Sequence, residues 1–89
     1  MVKNIKDATV SAMAFARESL GAERTENLQL EEIESALEDG VDVWRITLSM
    51  PASLDPYAAL SGRRDYKTFT VVKATGEVTS MKIRETSKA

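Results

Sequence analysis

The sequence predicts an α+β fold, with one N-terminal helix packed on a four-stranded antiparallel meander sheet. Three observations predict it. Residues 2–20 space their apolar side chains at the period of a helix. Residues 43–50, 66–73 and 78–84 alternate at the two-residue period of strands. Glu38-Asp39-Gly40 and Ala74-Thr75-Gly76 are turn signals of the kind that join antiparallel neighbours. The chain has 89 residues, 43% of them hydrophobic and 29% charged, with a net charge of −2. That length and balance describe one globular domain near the lower size limit for folding alone, not a disordered polymer.

The helix comes first. At 100° per residue, Val2, Ile5, Ala8, Ala12, Met13, Phe15, Ala16 and Leu20 fall within one arc of about 160°. Lys3, Lys6, Asp7, Ser11, Arg17 and Glu18 fill the remainder, and Val10 lies on the far side. Asn4 suits the N-cap, Asp7 faces the positive end of the helix dipole, and Gly21 suits the stop. Ala8, Ala12 and Ala16 run along the centre of the arc, so the helix axis can approach the surface it covers. Such a face belongs on a sheet; membrane-surface helices are usually basic, with bulkier apolar side chains.

Residues 22–27 are a polar connector. Residues 28–37 read two ways. Leu28 and Leu30 alternate like a strand, whereas Leu30, Ile33 and Leu37 step like a helix, and the carboxylates and Ala36 favour helix on propensity. The turn signal and the strand that follow favour a strand with a phase slip at Glu31-Glu32, absorbed by a bulge; a short second helix is the alternative. In 43–50, Trp44, Ile46, Leu48 and Met50 point one way, and Arg45, Thr47 and Ser49 the other. Pro51 ends that strand, since proline cannot donate to the ladder. Residues 51–62 form a long loop containing Pro56 and Tyr57. In 66–73, Phe69 and Val71 share one face with Lys67 and Lys73, and Tyr66, Thr68, Thr70 and Val72 share the other. In the closing strand, 78–84, Met81 and Ile83 share a face. Residues 85–89 are a polar tail. One helix covers one face of the sheet, so the other, with Arg45, Thr47, Ser49, Tyr66, Thr68 and Thr70, is expected to meet water.

Composition removes many chemistries. The chain has no cysteine and no histidine, so disulfides, zinc–thiolate sites and the commonest general base are excluded. No stretch has the length of a membrane span, and Met1 to Lys6 lack the apolar core of a signal peptide, so a cytoplasmic address is expected. The acidic run Glu31, Glu32, Glu34, Glu38, Asp39 and Asp42 does not have the spacing of a calcium loop. The serines have neither a histidine nor a Ser-x-x-Lys arrangement to activate them. No enzymatic activity, cofactor or metal is expected.

Residues 1–45 carry a net charge of −5 and residues 46–89 a net of +3. Internal pairing of the two halves, or an electrostatic partner, would account for this split. A sequence pI near 5.1 argues against a general nucleic-acid binder.

Three segments carry a family resemblance: Trp44-Arg45-Ile46-Thr47-Leu48, Tyr66-Lys67-Thr68-Phe69-Thr70-Val71 and Thr75-Gly76-Glu77-Val78. Together they resemble a PepSY-type domain, in which a helix precedes strands reading roughly W-x-V and Y-x-V-x-V and a closing TGEV turn. The order of elements matches over residues 8–83, with about ten specific letters shared. Small bacterial α+β proteins of the same plan are resembled equally. The resemblance implies the helix-on-sheet fold and, for PepSY domains, a role in inhibiting or chaperoning peptidases.

The residues left over point to binding. Arg45, Arg63, Arg64, Tyr66 and Lys67 form a basic-aromatic group at and beside the uncovered face. Arginine and tyrosine are enriched at interface hot spots, because each joins a large contact area to a polar end. The expected function is a non-catalytic protein-interaction or regulatory module, contacting an unidentified protein or a second copy of itself. The alternative is a small anion- or nucleic-acid-binding protein using Arg63 and Arg64.

Overall fold

The computed structural model describes residues 4–51 and 62–83. Its elements are α1 (Ile5–Leu20), β1 (Gln29–Glu38), β2 (Val41–Pro51), β3 (Arg64–Val72) and β4 (Val78–Ile83). The strands form one sheet in the order β1-β2-β3-β4, every neighbouring pair antiparallel. This is the predicted meander, and residues 29–38 are strand. The loop expected over 51–62 and the tail fall almost wholly outside the described residues.

Asn4 caps α1: its Oδ1 accepts from the Asp7 backbone N–H at 2.8 Å. Gly21 stops the helix at φ 94°, where a side chain would be strained, and its N–H donates to the Arg17 carbonyl at 3.0 Å. Ala8, Ala12 and Ala16 are fully buried, while Val10 is 61% exposed, as the arc requires. The alanines bring the helix down onto β2, β3 and β4. There Ile46, Leu48, Phe69 and Val71 form the core, flanked by Met13, Phe15, Leu20, Leu28, Ile33, Trp44, Val78 and Met81. Phe15 meets Phe69 edge-on at 6.2 Å, a favoured aromatic geometry. Ile5, at the start of the arc, remains exposed.

Tertiary pairing overrides the helix propensity of 28–37. Glu38 pairs with Val41 across Asp39 and Gly40, both at positive φ (53° and 80°). Such a two-residue turn matches the twist of the flanking strands and places β1 beside β2. The register slips between Leu30 and Glu32, at the predicted bulge. The extra residue keeps Leu30, opposite Leu48, and Ile33, opposite Ile46, on one face despite their odd separation. A second slip lies in the β3–β4 ladder at Thr70/Val71, and it aligns Val78 with Met81 on the core side. The sequence reading did not anticipate that slip.

The face away from α1 departs from expectation. Thr47, Ser49 and Thr70 there are buried, with exposures of 3%, 0% and 5%. Alternation places them on this face, but their burial does not follow from it.

Candidate functional site

The open face is built from alternate residues of the sheet. Directly opposed residues share a face in an antiparallel pair. Arg45 lies opposite Glu34 and Thr70, Thr47 opposite Glu32 and Thr68, and Ser49 opposite Gln29 and Tyr66.

Hydroxyls stitch the strands together. Thr47 Oγ1 and Thr68 Oγ1 share a hydrogen bond of 3.0 Å, and Ser80 Oγ donates to Thr70 Oγ1 at 3.0 Å. Ser49 Oγ donates to Glu31 Oε2 at 2.7 Å and accepts from Arg64 Nε at 2.8 Å. Arg64 Nη2 donates to the Asn27 carbonyl at 2.8 Å and the Ser49 carbonyl at 3.1 Å. Arg64 thus ties the start of β3 to β2 and to the connector before β1. Its planar fork suits several fixed acceptors at once.

Arg45 is held differently. Its Nε and Nη2 both lie 2.8 Å from Glu38 Oε2, and Nη1 is 3.8 Å from Glu34 Oε2. The acidic first strand therefore neutralises a cation of the second, which accounts for part of the charge split between the halves. A shallow depression of about 330 Å³ opens here, lined by Glu32, Glu34, Arg45, Thr47 and Thr68. Its floor is the Thr47–Thr68 hydroxyl pair and its rim is charged.

Of the five singled-out residues, Arg45, Arg64 and Tyr66 share the open face. Lys67 does not: it lies opposite Leu48 and Ile83, on the helix side. Arg63 precedes β3 and is exposed. Asp65, also on the helix side by alternation, pairs with Arg24 at 3.1 Å. Trp44 packs against the core, with Lys73 Nζ 4.3 Å from its ring centroid and its buried Nε1 without a hydrogen-bond acceptor. The sequence reading missed Ser49 and Asn27 as partners of Arg64, and Glu31 as the acceptor of Ser49. Only the strand register could have paired Ser49 with Tyr66, two residues beyond Arg64.

Among the described residues, no group of three or more Asp or Glu side chains is placed to hold a metal ion. No described helix is long and apolar enough to cross a membrane. No protein-family model, curated protein or solved structure matches the chain.

Proposed function

We propose that this chain is a non-catalytic protein-interaction module that presents the open face of its sheet, centred on Arg45 and Tyr66. One observation carries the reading: on the face away from α1, Arg45 and Arg64 are already held by hydrogen bonds. A surface ordered before binding loses less side-chain entropy when a partner arrives. The charged rim around a hydroxyl floor supplies direction and selectivity. The PepSY resemblance supports the same class of role; peptidase inhibition is not carried over to this chain. The anion-binding alternative has less support, because Arg64 directs Nε and Nη2 to acceptors within the protein.

The test compares the immobilised wild-type chain with an Arg45→Ala/Tyr66→Ala variant, in capture from its source cell. Circular dichroism checks that both are folded. The variant is expected to lose the specific partners of the wild type. Equal capture by both would overturn the assignment of this face. Tight binding of mixed RNA or DNA with a steep salt dependence would favour the anion-binding alternative instead.

A further inference from the structure

The two edges of the sheet are chemically complementary. β1 carries Glu31, Glu32, Glu34 and Glu38 and no cation; β4 carries Lys82 and no carboxylate. Glu32 and Glu34, opposite Thr47 and Arg45, stand on the open face. Lys82, opposite Thr68, stands on the same face at the other edge. The helix side repeats the match in apolar form. There β1 leaves Leu37 67% exposed and Leu30 44% exposed, and β4 leaves Ile83 74% exposed. Both strands are outermost in the described sheet, and an outermost strand turns a row of backbone donors and acceptors outward.

Strand direction completes the fit. In a four-stranded antiparallel meander, β1 and β4 run in opposite directions. Translating one copy sideways therefore sets its β1 antiparallel to the β4 of the first, with both helices on one side. Lys82 then faces the glutamate row, and Ile83 joins the line of Leu30 and Leu37. Pairing β1 with another β1 would set carboxylate against carboxylate, which destabilises a ladder.

We propose that the chain self-associates head to tail, its β4 edge adding to the β1 edge of a second copy so that the sheet continues across the contact. This rests on the protein-interaction reading and names a second copy as one partner, bound at the edges and not on the open face. Such a contact is heterologous, so it grows into short oligomers or closes into a ring. Its ionic half weakens with salt.

Sedimentation velocity from low micromolar to several hundred micromolar, at low and high salt, tests it. The wild type is expected to associate with rising concentration, less so at high salt. Lys82→Glu makes both edges acidic, and Glu32→Lys/Glu34→Lys sets lysines where Lys82 would meet carboxylates. Each is expected to raise the concentration needed for association by roughly tenfold. An equimolar mixture of the two is expected to associate again, because the acidic β4 of one meets the new lysines in the β1 of the other. Should the β1 reversal fail to fold by circular dichroism, Leu37→Asp replaces it, with the same roughly tenfold rise expected. A wild type that stays monomeric throughout, or association indifferent to Lys82→Glu, would overturn the edge pairing. Either result leaves the Arg45/Tyr66 face to stand or fall by its own capture experiment.

Discussion

On the helix side of β2 and β3, Ile46, Leu48, Phe69 and Val71 are sealed beneath three alanines of α1. On the other side Thr47, Ser49 and Thr70 are almost as deeply buried, with no described helix above them. The first face is held by contact area, which is non-directional and scales with what is removed from water. The second is held by pairing, in which hydroxyls and guanidinium groups have named hydrogen-bond partners. Removing atoms from the first face leaves a cavity. Removing one group from the second leaves its partner unsatisfied, which costs more than the bond itself contributed. The two faces should therefore answer mutation by different rules.

The largest expected effect breaks the apolar face. Phe69 is fully buried and meets Phe15 edge-on. Phe69→Ala is expected to cost about 3–5 kcal/mol, read as a lower midpoint in urea. A loss under about 1 kcal/mol would mean that α1 is not seated on β3. Next comes the centre of the paired face. Ser49→Ala removes the acceptor of Arg64 Nε and the donor to Glu31, and is expected to cost about 1.5–3 kcal/mol. The loss should shrink in the Arg64→Ala background, because the orphaned guanidinium is then gone; additive losses would mean that the two residues do not share a network.

The close approach of α1 gives a graded test on the apolar side. Ala12→Leu is expected to cost about 1–3 kcal/mol by overpacking. Val10→Ala, on the exposed side of the same helix, should stay within about 0.5 kcal/mol. Equal midpoints for the two would break the assignment of the buried arc. The smallest effect belongs to the rim of the open face. Arg45 and Glu38 form a part-exposed pair, and a double-mutant cycle to alanine is expected to give a coupling under about 1 kcal/mol that fades with added salt. A coupling near that of Ser49 and Arg64 would show the rim to be as tightly built as the floor.

What the sequence determined by itself was local. Apolar spacing identified α1, and the caps Asn4 and Gly21 marked its ends. Asp39-Gly40 defined the tight hairpin, and the change of phase around Glu31-Glu32 marked the bulge in β1. These are readable because helix period, cap chemistry and turn dihedrals depend on residues a few positions apart. The tertiary structure decided the rest. It chose strand over helix for 29–38, because the hairpin and the apolar side of β2 outweigh a propensity of a few tenths of a kcal/mol per residue. Alternation already set Lys67 on the face of Phe69 and Val71; register decided which residues of neighbouring strands oppose one another. It also brought Arg64 onto Ser49 and Asn27, 15 and 37 residues away in the chain. The burial of Thr47 and Ser49, on the face that no described helix covers, could not be read from alternation, which reports which way a side chain points and not what surrounds it.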